Sequence, residues 1–247
     1  MRKAGNVPYR HSFGVAKPSF GVIKVVGSAL ITSGLVLGAL TGGAGASKAS
    51  DKAQAKKALL VLSDLPKGWT STKTAASTGG AFPGASQLAS CIGVPSSIIT
   101  ANRPTADSPE FTNQAKSEAV DDSVTVFSSA KEAQAQYTAL SSIKTPACMA
   151  TLMNGTQKTQ LQKAAGTGDT VGTITVAKIV PKNFAPHVTG FTVIIPISSQ
   201  GQTVTVRTTE AFMVKGKVGH ELRLTSYQST FPASASKHLT KVAEGRL

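Results

Sequence analysis

The sequence predicts an α+β domain, with an antiparallel sheet of about five strands packed with helices. Three observations carry this. Four β-rich runs follow one another in the last third, separated by short polar connections of the kind that make hairpins. The middle third carries apolar residues at helical spacing. A last helical stripe follows Pro232.

The elements are preceded by a leader. Arg2, Lys3, Arg10, Lys17 and Lys24 stand before an almost uncharged run from Val25 to Ala46, which ends in the small-residue pattern Ala44-Gly45-Ala46. Basic region, apolar region and small-residue site in that order read as a secretory signal peptide over residues 1–46, cleaved after Ala46. An uncleaved anchor is the alternative, because about 20 apolar residues can span a bilayer. The dilution of the run by Gly, Ser and Thr suits a signal better. Either way the basic end stays in the cytoplasm and the rest is exported. Residues 47–57 read as a polar tether, and residues 58–247 as a single sensor-like domain.

Ala58 to Leu62 reads as the apolar face of a first helix, ended by Pro66, with Gly68 permitting the turn that returns Trp69. Thr70 to Gly80 is polar and reads as a loop. A short helix is expected around Ser86 to Ile92, and a turn into a strand at Asp107 to Phe111. Ser123 to Phe127 alternates as a strand. Ser129-Ala130-Lys131-Glu132 has the form of a capping box, opening a helix with Ala133, Tyr137, Leu140 and Ile143 on its stripe. Another helical segment runs from Ala147 to Ala165. The β-rich runs are Gly172 to Val180, Val188 to Ser198, Thr203 to Val214 and Val218 to Tyr227. In the last, Val218, His220, Leu222 and Leu224 share one face, with Glu221, Arg223 and Thr225 on the other.

Five of the 26 basic residues and none of the 12 acidic ones lie in the leader, which leaves the exported part at +9. A basic surface favours anionic partners, such as wall polymer or lipid headgroups. Nucleic acid fits poorly, because the few aromatics form no stacking platform among the lysines. Contact with membrane is expected only through an uncleaved leader.

Cys91 and Cys148 are the two cysteines. In an oxidising compartment they read as one bridge. Closing that loop stabilises the fold by roughly 4 kcal/mol in the chain-entropy model. A catalytic thiol would need a histidine beside it, and neither cysteine has one nearby in sequence.

Several short pieces resemble a family of exported actinobacterial domains, which includes the extracellular sensor domain of a mycobacterial serine/threonine kinase and related cell-envelope lipoproteins. The pieces are Ala58-Leu59-Leu60 with Asp64-Leu65-Pro66 and Gly68-Trp69, Cys91 with Ser108-Pro109 and Phe111, and Val124 to Phe127 before the capped helix. Cys148, Gly168-Asp169 and the closing hairpin before Phe231-Pro232 complete them. The resemblance implies an α+β sandwich with a ligand cleft rather than an enzyme. The chain differs in having no kinase domain, no lipid-anchor cysteine and two cysteines rather than four. No ligand residues carry over.

Catalytic signatures are absent from the sequence. His220-Glu221 starts like H-E-x-x-H, but the fifth position is Leu224, and on a strand the two side chains point to opposite faces. No nucleophile elbow and no phosphate-cradling glycine loop occur. No cofactor and no metal site is expected. Asn154-Gly155-Thr156 matches a glycosylation sequon, and also a helix-interrupting turn. The expectation is therefore an exported, non-enzymatic sensor-like or ligand-binding protein of the bacterial cell envelope, taking a small or lipidic envelope ligand. His220, Phe191 and Trp69 are its candidate pocket residues. A secreted hydrolase with a non-standard site and an adhesion protein for anionic wall polymer are the alternatives.

Overall fold

The computed structural model describes residues 45–73 and 84–247. The leader up to residue 44 and most of the polar stretch after Thr72 lie outside the described residues. The helices are α1 (Gly45–Ala58), α2 (Ala85–Ile92), α3 (Ser96–Thr100), α4 (Ala130–Ser141), α5 (Thr145–Leu152), α6 (Lys158–Ala165) and α7 (Ala233–Arg246). The strands are β1 (Thr70–Thr72), β2 (Thr105–Asp107), β3 (Glu110–Asn113), β4 (Glu118–Val126), β5 (Thr170–Val171), β6 (Thr175–Lys178), β7 (Thr189–Ser199), β8 (Gln202–Lys215) and β9 (Val218–Tyr227).

The fold is α+β, with one antiparallel sheet of nine described strands rather than five. Its order is β1-β3-β4-β9-β8-β7-β5, with β2 also on β4 and β6 also on β7. Half of the surplus arises because two lanes of the sheet are each broken in the middle. β2 and β3 lie along the same strand and are separated by Ser108-Pro109. Pro109 has no N–H to give the ladder, and Ser108 stands in: its N–H donates to the Asp122 carbonyl and its Oγ accepts from the Asp122 N–H, both at 2.9 Å. This two-residue interruption turns Asp107 and Glu110, three apart in sequence, to the same face.

Strand alternation divides the core. On the face that carries Phe191, Val193 and Ile195, helices α2 to α6 cover the β7 half and bury Leu88, Ile99, Leu140 and Leu161. The opposite face packs Leu222, Leu224, Phe111 and Trp69 against Leu239 and Ala243 of α7. There α1 lays Ala55 and Ala58 on Val124, Val126 and Val218.

Two sequence expectations change here. The tether at 47–57 is helical, and Ala58 ends a helix instead of starting one. The stretch Lys52 to Ala58 is rich in strong helix formers, and its small alanines let the helix approach the sheet. Past Ala58 the chain must leave the helix, because the Leu60 N–H donates to Asp122 Oδ2 at 3.1 Å. Ile143, expected on the α4 stripe, is 87% exposed. The helix ends at Ser141 and the turn at Ser142 breaks its register.

Other local readings hold. Gly68 takes φ +94° at the turn before Trp69. Ser129 Oγ accepts the Glu132 N–H at 3.2 Å, while the Glu132 carboxylate reaches back to the N–H of Ser128, one residue earlier than the standard box. Cys91 in α2 and Cys148 in α5 are joined in a disulfide. The sequon falls at a π turn (Met153–Gln157) between α5 and α6. Asn154 is engaged there, its amide accepting the Ile174 N–H at 2.9 Å and donating to the Ile174 carbonyl at 2.7 Å.

Candidate functional site

β9 shows the same period on both faces, but the two faces carry different chemistry. Glu221, Arg223 and Thr225 point to the Phe191 side of the sheet. The register sets Glu210 of β8 and Asp121 of β4 on either side of Arg223, and Phe212 and Ser123 on either side of Glu221. A charged floor results, next to the apolar half that the helices cover. Arg223 Nη1 donates to Asp121 Oδ1 at 2.9 Å and Nη2 to Glu221 Oε1 at 3.4 Å, with Glu210 Oε1 3.8 Å from Nε. Asp107 and Glu110 stand within electrostatic reach at the rim. Five of the chain's 12 acidic residues thus gather around one arginine, in a protein whose net charge is +14.

Burial governs the protonation of this cluster. Removal from water pushes Asp121 up to about 7, because the attraction of Arg223 only partly offsets it and Asp122, Glu110 and Glu210 repel. Glu221 is driven well above the usual carboxylate range, first by burial and then by Glu210, to which it is also hydrogen-bonded. Arg223 moves the other way from what its own burial would dictate. Asp121, Glu210 and Glu221 hold the guanidinium charged more firmly than in water. Burial and the nearby Glu110 carboxylate push the Tyr227 hydroxyl up to about 12.

At the Glu221 end of this floor, α4 bridges over the sheet and leaves a half-open cavity of about 30 Å³. That is room for one or two water molecules. Ser123, Thr125 and Glu221 form its polar side, and Phe127, Tyr137, Leu140 and Phe212 its apolar side. Gln136 closes the roof. It is 3% exposed, and its Nε2 has no hydrogen-bond partner. Leaving such a group unsatisfied costs about 1–3 kcal/mol, so Gln136 Nε2 marks where a bound molecule gains most. Tyr137 is already committed, donating to the His187 carbonyl at 2.9 Å.

The three pocket residues expected from sequence are not brought together. His220 and Trp69 point to the other face of the sheet, away from the charged floor. His220 Nε2 lies 2.8 Å from Asp122 Oδ2, with both side chains at 0% exposure. His220 is nonetheless among the residues that border the cavity. Trp69 is core, its ring centroid 6.4 Å from that of Phe231. Phe191 is on the correct face but sits in the apolar half, packed on Phe212 at 5.8 Å between centroids. Sequence reasoning missed Gln136, Asp121, Glu210 and Glu110. The available signal was the presence of acidic residues inside otherwise apolar or Thr-rich strands of an acid-poor chain.

No protein-family model matches the chain, and no curated protein matches it. Among solved structures, it is similar to the extracellular domain of PknH from Mycobacterium tuberculosis, at 11% identity and a TM-score of 0.38, over 78% of this chain and 96% of that one.

Proposed function

We propose that this chain is an exported, non-enzymatic, sensor-like binding protein of the bacterial cell envelope, which takes a small ligand into the cavity between α4 and the charged half of the sheet. The single observation that carries the reading is Gln136. An amide nitrogen kept from water and left without a partner, at the mouth of a half-open cavity beside a buried charge cluster, is a group prepared for something that is not protein. Export is supported by the signal-like leader and by the Cys91–Cys148 bridge, which belongs to an oxidising compartment. A non-enzymatic role is supported by the burial of the His220 and Asp122 side chains against each other, both at 0% exposure. Screening envelope lipids, sugars and wall fragments by amide NMR should find a ligand whose shift changes centre on Gln136, Ser123 and Glu221. A screen in which these amides never respond defeats the proposal.

A second reading has its own observation. Lys52, Lys56 and Lys57 of α1 and Lys237 and Lys241 of α7 are all exposed on two helices that pack together on the far side of the sheet. This surface suits an anionic wall polymer. Co-sedimentation with cell walls that is abolished by moderate salt would support it, and salt-insensitive binding would count against it.

A further inference from the structure

Independently of the cavity, we infer that the face built by α1 and α7 docks the domain onto an anionic lipid surface. Three of the four large apolar side chains exposed among the described residues border this face: Val61 at 46%, Leu62 at 42% and Val180 at 51%. They stand on the two flanks of α7. On one flank Asp64, in the same turn as Leu62, is held by Arg246 Nη2 at 2.6 Å, and its carbonyl lies 3.2 Å from His238 Nε2. On the other, Val180 opens the turn Pro181–Asn183, which packs on α7. The Ala185 N–H just beyond it donates to Thr240 Oγ1 at 3.0 Å. The apolar tips are thus pinned to the helix. Between them the exposed ridge of α7 carries Lys237 and Lys241, with Lys182 beside Val180 and the lysines of α1 alongside. Asp51 and Asp64 are already taken up by Lys217 and Arg246, so the lysines are in excess.

Together these features favour lipid over the hydrophilic wall polymer that the same lysines attract. A lysine beside an anionic lipid surface strengthens binding about fivefold, and salt screens that attraction. Side chains such as Leu62 and Val180 gain only where there is an apolar layer to enter, and that gain survives salt. A patch that served polyanions alone would have no use for apolar tips at its rim. The leader points the same way. Its apolar run ends at Ala46, and Asp51, five residues later, is already fixed to the domain by Lys217. A retained leader would bring α1 out of the bilayer beside the headgroups, and a cleaved one would leave the face to bind by itself. The cavity under α4, on the opposite face of the sheet, then opens away from the membrane.

The test is amide NMR of the exported chain with phosphatidylcholine bicelles that contain or lack phosphatidylglycerol and carry a spin-labelled lipid. Signal loss from the label should be greatest at Leu62, Val180, Lys237 and Lys241, and only where phosphatidylglycerol is present. A domain merely tethered by a retained leader would lose signal evenly over its surface, so the readout holds whether or not the leader is cleaved. Lys237→Glu with Lys241→Glu should weaken the docked state about twentyfold or more at low salt. Leu62→Ser with Val180→Ser should weaken it several-fold and remove the part that survives high salt, while leaving attachment to lipid-free cell walls unchanged. All four side chains are exposed, so the remaining amide spectrum should be unaltered in both variants. If the lysine changes abolish docking and the apolar changes do nothing, the face serves wall polymer and the lipid inference falls. Even signal loss, or loss centred on the α4 side, also overturns it. None of these outcomes bears on the ligand screen at Gln136, so the cavity proposal stands or falls separately.

Discussion

Arg223 shows how little a residue's own type says about its energetics. Alone, a guanidinium at 4% exposure would be strongly unfavourable. With Asp121, Glu210 and Glu221 around it, the arginine becomes the group that makes three buried carboxylates tolerable. Arg223→Met should therefore cost about 3–5 kcal/mol, seen as a large fall in the urea midpoint, because it strands charges rather than deleting a contact. A midpoint change below about 1 kcal/mol would mean that the cluster is solvated. The acids give a second prediction, with a definite sign. Asp121 and Glu221 have folded pKa values raised above their unfolded ones, so they hold protons that the unfolded chain gives up. Their contribution is complete below the ordinary carboxylate range near pH 4 and is lost as pH climbs through about 7 and beyond. Thermal midpoints should fall from pH 5 to pH 8.5, and Glu221→Gln should flatten that slope. A midpoint that rises over the same interval would contradict the assignment.

Individual elements were legible to the extent that their signals are local. Val218 to Tyr227 declares itself a strand, and its two faces with it, since period-two alternation needs no knowledge of neighbours. The Ser129 cap was legible for the same reason, and Ser129→Ala should cost α4 about 1 kcal/mol, measurable by chemical denaturation. α1 is not legible locally, because a run of alanine and lysine forms a helix as readily as it forms a polar linker. The deciding factor is whether Ala55 and Ala58 find a surface, and β4 is that surface. Gly190 in β7 is another element-level constraint. A Cβ there would run into the Glu210 carbonyl of β8, so Gly190 allows the two longest strands to approach beside the cluster. Gly190→Ala should destabilise by more than about 2 kcal/mol through β7–β8 separation, with exchange protection lost first around Glu210. Unchanged protection there would show that the strands can shift without harm.

Across the whole molecule, the disulfide and the sheet do different jobs. Cys91–Cys148 ties α2 to α5 within the helical layer over the β7 half, while α1 and α7 pack on the opposite face without it. Replacing both cysteines by alanine should lower stability by about 2–5 kcal/mol in denaturant melts while leaving the α7 face folded at low denaturant. Full collapse of both layers together would show that they are one cooperative unit. The sequence by itself determined what depends on neighbours along the chain: α+β class, three of the long strands, the turns at glycine, and the cysteines as a pair. It also showed Glu221 and Arg223 sharing a face. Only the tertiary structure decided that Asp107, Glu110, Asp121 and Glu210 surround that arginine, because they come from β2, β3, β4 and β8, and cross-strand register is not written in any one of them. It decided equally that Gln136 is buried without a partner, since helical spacing says which face turns inward but not what that face will meet.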